Sequence, residues 1–236
     1  MKLYAIGVGT GNSEDVTMRA VRAIAESDYL FVPVKEAGEE SFAYEIIKPY
    51  VQAHTQIIEL VFPMVHDKKV LQAYWKTNAA QIHDYLSKAE NGTGAFIVIG
   101  DVTLYSTYMY MDQDIKASGI EVECVPGITS YIGAAAVIGQ PLALLDEKVA
   151  IVPARRRGTA ELSDIMDQFE TVVIMKPSQD SEHILNVLRE KSYEKHFRLV
   201  YKVGTEEQKV YDNIDDIEEK IPYLSVLIVK KGGFYE

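Results

Sequence analysis

The chain has 236 residues, of which 47% are hydrophobic and 25% are charged, and these proportions exclude an intrinsically disordered chain. Lysine and arginine together number 24, against 35 aspartate and glutamate residues, so the net charge of −11 argues against DNA or RNA as a partner. One cysteine, Cys124, forms neither an internal disulfide nor a thiolate metal cluster.

No segment reaches the roughly 18–20 consecutive apolar residues of a membrane span. The first residues run straight into a strand-like segment rather than a secretory signal, and one thiol suits a reducing compartment. We therefore expect a cytoplasmic protein with no membrane partner. The five histidines are scattered without the spacing of metal ligands, so no metal is predicted.

Short apolar runs alternate with longer helical patterns through the first half of the chain. Strands are predicted at 3–8, 29–32, 56–61, 95–99 and 121–125. Helices are predicted at 13–27, 42–51, 68–89 and 104–118. Strands that are apolar on both faces and alternate with helices indicate a parallel sheet covered by helices.

The second half has a different pattern. Strands are predicted at 149–152, 171–175, 198–203, 208–211 and 224–229, with helices at 131–138, 159–168 and 180–191. Two strands within 198–211 are separated by a short turn, which predicts a hairpin and some antiparallel pairing. The fold class is therefore α/β with two αβα domains, a mainly parallel one at residues 1–126 and a mixed one at 127–236.

Residues 7–12, GVGTGN, follow the first strand and precede a helix. Their glycines allow a sharp turn and a close approach of backbone to a ligand, and Asn12 is suited to cap the helix. Position 12 is not the third glycine of a dinucleotide-binding loop, and the Lys-Ser/Thr end of a Walker loop is missing. A tight turn without a ligand is the alternative interpretation.

Two more turns of glycine and hydroxyl residues follow predicted strands, at 99–107 (IGDVTLYST) and 125–130 (VPGITS). Asp101 either meets a ligand or caps the next helix, and Thr129 and Ser130 have the same two possible roles. Ligands of open parallel sheets bind at the carboxyl ends of the strands. If the sheet is parallel, all three turns lie on one rim, which predicts a pocket there.

In this order and spacing the three segments resemble the tetrapyrrole (corrin/porphyrin) methyltransferase family, which uses S-adenosylmethionine. That family has a G-x-G-P-G-D-like loop after the first strand, G-D-P-x-x-Y after the fourth and P-G-[IV]-[ST]-[SA] after the fifth. The resemblance covers essentially the whole chain. Residues 34–35, 41–43, 62–64 and especially 104–108 (LYSTY) are similar to the precorrin-2 or cobalt-factor II C-20 methyltransferase branch of cobalamin synthesis. Thr10 and Val102 replace family prolines, and Asn12 replaces an aspartate.

The resemblance implies two domains with the cofactor in a cleft between them, and a likeness to class III methyltransferases. The cofactor-binding residues that it implies are Thr10, Gly100, Asp101, Leu104, Tyr105, Ser106, Thr107, Thr129, Ser130, Met175, Gly204 and Thr205. Met175 has an alternative role as core filler. A homodimer is also implied, with a small tetrapyrrole as substrate.

Methyl transfer from a sulfonium needs neither metal nor covalent enzyme intermediate, so the catalytic residue is unassigned. The proton acceptors considered by residue type are Tyr105, Tyr108, Asp101 and His66. Arg155, Arg156 and Arg157, together with Lys35, are candidate ligands for substrate carboxylates, against the alternative of a solvated basic turn. Tyr74 and Trp75 are interpreted as core or dimer contacts on an amphipathic helix.

Three alternatives stay open. The first is another member of the same superfamily with a different acceptor, such as another corrinoid carbon, uroporphyrinogen, diphthamide or ribosomal RNA. The second is a dinucleotide-dependent oxidoreductase in which Asp28 binds the ribose. The third is a non-catalytic ligand-binding or assembly module.

Overall fold

The structure is a computed structural model that describes residues 1–154, 159–217 and 220–235. The chain divides into two compact units, Met1–Thr129 (unit 1) and Ser130–Glu236 (unit 2). Among the described residues, no helix is long and apolar enough to cross a membrane.

Unit 1 contains a five-stranded sheet in which every pairing is parallel, as the sequence predicted. The strands are β1 Lys2–Gly7, β2 Tyr29–Val34, β3 Gln56–Val61, β4 Thr93–Val98 and β5 Glu121–Val125, in the spatial order β3-β2-β4-β1-β5. Side chains of β1 alternate between the two faces, with Leu3 and Ala5 in one core and Ile6 in the other. Burial on both faces explains why these strands have continuous apolar sequences.

Four α-helices cover this sheet, two on each face. They are α1 Met18–Ala25, α2 Phe42–Ile47, α3 Lys68–Leu86 and α4 Asp112–Ala117. Helices α1 and α2 contribute Ile24 and Ile46 to the core that contains Ile6. Helices α3 and α4 contribute Ile82 and Ile115 to the core on the opposite face. The helix that follows β1 and the helix that follows β4 therefore lie on opposite faces of the sheet.

Two predicted helices begin several residues later in the structure. The prediction of a helix from residue 104 is wrong, because only a 3₁₀ turn at Tyr108–Tyr110 and then α4 are helical. Ser106 Oγ accepts a hydrogen bond from the Tyr108 amide, and such local side-chain bonds compete with a helix. Helix α1 begins at Met18 rather than at residue 13, because Thr17 caps it through a bond from the Ala20 amide.

Unit 2 contains the mixed sheet that the sequence predicted. Its strands are β6 Val149–Pro153, β7 Thr171–Met175, β8 Phe197–Tyr201, β9 Lys209–Tyr211 and β10 Ser225–Lys230, in the order β6-β7-β10-β8-β9. Among the described strands of this sheet only β6 and β7 pair in parallel, and β8 and β9 form the predicted hairpin. Helices α6 Thr159–Gln168 and α7 Ser181–Glu190 pack on one face, and α5 Ser130–Ile138 packs on the other.

Candidate active site

The order of the strands in unit 1 brings the three predicted turns together. Strand β1 lies between β4 and β5, so the turns that follow these strands are neighbours at the carboxyl edge of the sheet. The chain leaves β1 toward one face and β4 toward the other, which makes this pair of strands a topological switch point. Open α/β sheets bind their ligands in the crevice at such a point.

Backbone contacts hold the three turns against one another. Gly9 and Gly100 form two hydrogen bonds, of 3.2 Å from the Gly9 amide and 2.7 Å from the Gly100 amide. A Cβ atom on Gly7 would lie 2.5 Å from the Gly100 carbonyl oxygen and 2.7 Å from the Gly127 nitrogen. Since no side chain fits between these atoms, glycine at positions 7 and 127 is what lets the turns meet.

The carboxylate of Asp101 links the second turn to the third. Its Oδ1 accepts hydrogen bonds from the Thr103 amide at 2.8 Å and the Thr103 hydroxyl at 2.5 Å, and its Oδ2 accepts one from the Gly127 amide at 2.9 Å. Partial burial opposes ionisation, but these hydrogen bonds outweigh it and lower the pKa of Asp101. Asp101 is therefore ionised and joins the second turn to the third through hydrogen bonds. It does not cap a helix, as the alternative interpretation held.

Two threonine hydroxyls at this rim are buried without a hydrogen-bond partner. They are Thr10 Oγ1 in the first turn and Thr129 Oγ1 in the third. A buried hydroxyl without a partner is costly, so such groups point to a missing ligand atom or water. Beside them Gly100 has a φ of +74°, and a Cβ there would meet no atom closer than 3.9 Å, which leaves open space over the backbone. The residues present fit a ligand with polar groups.

The rest of the second turn presents a mixture of side chains. Ser106 is buried, Leu104 is half-buried, and Tyr105 and Thr107 are exposed. Tyr105 has a φ of +54°, an uncommon conformation for an aromatic residue.

Tyr108, by contrast, is fully buried in the core, and its hydroxyl donates to Asp112 Oδ1 at 3.0 Å. Burial, reinforced by the Asp112 carboxylate, raises the pKa of the Tyr108 phenol. This position and environment argue against Tyr108 as the proton acceptor.

In unit 2 the predicted residues lie at the carboxyl edge shared by β6, β7 and β8. Ser130, the first residue of α5, has its Oγ 3.9 Å from Met175 Sδ at the end of β7. Gly204, with a φ of +79°, and Thr205 lie in the turn after β8. The Gly204 amide donates to Gln208 Oε1 at 2.8 Å, and Thr205 Oγ1 donates to the Lys202 carbonyl at 2.9 Å, so this turn is firmly held.

The remaining candidates are spread along the chain. Lys35 is exposed directly after β2, and His66 is exposed in the loop between β3 and α3. Arg155, Arg156 and Arg157 lie outside the described residues. The part of the chain that is described contains no group of three His, Cys, Asp or Glu side chains able to hold a metal ion.

Asp28 does not occupy the position that a dinucleotide-binding protein requires. It precedes β2, at the amino edge of the sheet, and its Oδ2 accepts hydrogen bonds from the Thr93 amide at 3.0 Å and the Thr93 hydroxyl at 2.9 Å. A ribose-binding acid belongs at the opposite, carboxyl edge. The oxidoreductase interpretation is wrong on this point.

Two members of the site were absent from the predicted set. Thr103 and Gly127 supply the three hydrogen bonds that hold Asp101. The Asp-x-Thr spacing was a signal for the bond within the turn, since Asp commonly bonds the backbone two residues on. The bond to Gly127 joins distant segments and has no local signature.

Residues 2–218 match the family Tetrapyrrole (Corrin/Porphyrin) Methylases, and the chain belongs to this family. A relative from Methanocaldococcus jannaschii, named probable cobalt-precorrin-2 C(20)-methyltransferase, is 37% identical over 98% of this chain and 96% of its own. The Salmonella typhimurium cobalt-precorrin-2 C(20)-methyltransferase is 27% identical over 99% of this chain and 98% of its own.

Solved structures share the fold at lower identity. A cobalt precorrin-4 methyltransferase superposes with a TM-score of 0.73 at 17% identity, covering 97% of this chain and 94% of its own. The uroporphyrin-III C-methyl transferase of Thermus thermophilus, complexed with S-adenyl homocysteine, superposes with a TM-score of 0.67 at 15% identity over 98% of both chains. The chain thus shares its fold with these solved methyltransferases.

Proposed function

We propose that this protein is an S-adenosylmethionine-dependent methyltransferase that adds a methyl group to carbon 20 of a precorrin-2 or cobalt-factor II type tetrapyrrole in cobalamin biosynthesis. The names of the two C(20)-methyltransferase relatives, which align over nearly the full chain, support the acceptor. The observation that carries the cofactor site is the meeting of three turns at the β4-β1-β5 rim, with two buried hydroxyls lacking partners.

S-adenosylmethionine supplies, when bound, a methyl group already activated by a sulfonium. In unit 1, the hydroxyls of Thr10 and Thr129 are proposed to bind its polar groups, and the open backbone at Gly100 permits close approach. Asp101 holds the second turn against the third and keeps a negative charge at the rim. In unit 2, Ser130, Met175, Gly204 and Thr205 are proposed as further cofactor-binding residues.

The chain contributes to methyl transfer mainly by positioning. Holding two reactants in attack geometry supplies about 7–11 kcal/mol of barrier lowering, which the rigid backbone contacts of the three turns are suited to deliver. Asp101 holds its carboxylate in the ionised form at neutral pH, so it accepts rather than donates hydrogen bonds there. Lys35 and Arg155–Arg157 are proposed to bind substrate carboxylates as ion pairs.

We further propose a cytoplasmic homodimer. The single cysteine, Cys124, is free and exposed, which suits a reducing compartment. Sedimentation equilibrium at several protein concentrations measures the mass against the 26.5 kDa of one chain. A species of one chain mass at all concentrations contradicts the dimer.

A methylation assay tests the function. The pure protein receives S-adenosylmethionine labelled with ¹³C in the methyl group and, in parallel reactions, precorrin-2 and its cobalt complex. We expect a single new methyl resonance at carbon 20 with one or both acceptors. Methylation at another carbon, or methylation of uroporphyrinogen, supports the alternative of a family member with a different acceptor. If the protein binds NADH and does not bind S-adenosylmethionine, the proposal is contradicted.

A further inference from the structure

Four exposed apolar side chains of unit 1 lie in the segments that follow β3 and β4. Met64 follows β3, Tyr74 lies on α3, and Met109 and Tyr110 follow the Asp101–Thr107 segment, and all four are exposed. The ring of Tyr110 stacks on that of Trp75, with centroids 4.3 Å apart and planes 5° apart. Tyr110 is nevertheless 61% exposed, so one of its faces is covered by Trp75 and the rest is accessible. We call Tyr74, Trp75, Met109 and Tyr110 the aromatic patch.

The aromatic patch lies at the same carboxyl edge as the three turns of unit 1. Asn78 Nδ2 donates to the carbonyl of Val61, the last residue of β3, at 2.9 Å, which places this turn of α3 level with the end of the strand. Helix α3 begins at the carboxyl edge and runs back toward the start of β4. Trp75 precedes Asn78 by one turn, so it lies at or beyond the strand ends.

Positive charge lies next to these rings in a chain whose net charge is −11. Lys68, Lys69 and Lys76 are exposed on α3, and within the described part of the chain no carboxylate forms an ion pair with any of them. The nearby Asp67 is engaged as the N-cap of α3, where it accepts from the Lys69 amide at 2.8 Å. Lys68 precedes Trp75 by seven residues, so both lie on one helix face, about 10 Å apart along the axis.

These observations favour a flat, anionic ring as the occupant. A planar conjugated ring stacks on an exposed aromatic face, and carboxylates on its periphery pair with lysine ammonium groups. A second copy of the chain suits the patch less well, because a two-fold contact buries the same positively charged patch from both copies in one interface. We propose that the aromatic patch is the stacking surface for the tetrapyrrole macrocycle, an inference that rests on the proposed function. Tyr110 is the ring that contacts the macrocycle, and Lys68 binds one of its carboxylates.

The test measures macrocycle binding with uroporphyrin III, a planar octacarboxylate, titrated into the full chain saturated with S-adenosylhomocysteine. Tyr110→Ala is expected to raise the Kd about three- to tenfold, because it removes one aromatic stacking contact. Tyr110→Phe keeps the ring and is expected to retain the wild-type Kd. The matched control is Tyr235→Ala, since Tyr235 is 59% exposed and its two hydrogen bonds with Gln140 use its backbone atoms. Lys68→Gln is expected to weaken the salt dependence of binding.

The outcomes separate this inference from the proposed function. If wild type methylates cobalt-precorrin-2 and Tyr110→Ala has an unchanged KM and an unchanged uroporphyrin Kd, the inference is overturned and the function stands. If Tyr110→Ala shifts a dimer toward monomer while the Kd for uroporphyrin is unchanged, the patch is a contact between copies, and the inference is again overturned. If wild type binds no macrocycle and methylates neither acceptor, both proposals fail.

Discussion

Replacement of Gly127 by alanine tests whether the three turns depend on direct backbone contact. The added Cβ would lie 2.5 Å from both the carbonyl carbon and the carbonyl oxygen of Gly7, and closer still to the Gly100 oxygen. All of these are backbone atoms, either of the last residue of β1 or of the turn after β4, so no side-chain rotation relieves the clash. Overpacking costs about 1–3 kcal/mol where side chains absorb it, and we expect a loss of unfolding free energy of about 3 kcal/mol or more here.

Urea unfolding measures that loss from the shift of the transition midpoint at constant slope. Gly232→Ala is the matched control, because a Cβ there meets nothing within 4 Å and its φ is not positive. Gly127→Ala is also expected to abolish binding of S-adenosylhomocysteine, measured by calorimetry under conditions where the protein is still folded, because it displaces the hydrogen bond from the Gly127 amide to Asp101. Equal stability of the Gly127 and Gly232 variants, with unchanged binding, refutes the argument.

Two further substitutions test individual side chains. Tyr108→Phe removes one hydrogen bond to Asp112 and should lower the unfolding free energy by about 0.5–1.5 kcal/mol, while the methyl-transfer rate is preserved. A rate lowered about 100-fold or more would instead indicate that Tyr108 is the proton acceptor. Asp101→Asn should cost about 1–3 kcal/mol at neutral pH. Because hydrogen bonds lower the pKa of Asp101, its stabilisation is present above its unfolded value of about 3.9 and is lost as the pH falls through the lower folded value. Urea titrations between about pH 6 and pH 2 should therefore show a steeper acid loss in wild type than in the variant, and parallel profiles contradict this.

Local sequence was sufficient to predict those elements whose conformation is determined by burial alone. The five parallel strands were predictable because β1 and its neighbours are apolar on both faces, and the β8–β9 hairpin because two strand patterns flank a short turn. The convergence of the turns followed from the parallel sheet. In these cases period and composition carry the information.

Sequence patterns failed where distant or local polar contacts decide the conformation. Residues 104–107 have an apolar and aromatic helix-like pattern, but Asp101 and Ser106 bond nearby backbone amides and no α-helix forms there. The bond from Gly127 to Asp101 and the stacking of Trp75 on Tyr110 join segments far apart in the chain. Such contacts are consequences of the tertiary fold, so a single sequence does not reveal them.

We propose that the rim of unit 1 binds the methyl donor through Thr10. Calorimetric titration of S-adenosylhomocysteine into Thr10→Val tests it, because Thr10 Oγ1 is buried without a partner in the protein. We expect an affinity about three- to tenfold lower with an unfolding free energy equal to that of wild type or higher. The control is Thr171→Val, whose hydroxyl is also buried without a partner but lies at the first residue of β7, away from the carboxyl edge; its affinity should match wild type. Unchanged affinity in Thr10→Val, or an equal loss in both variants, contradicts a role of Thr10 in binding the methyl donor.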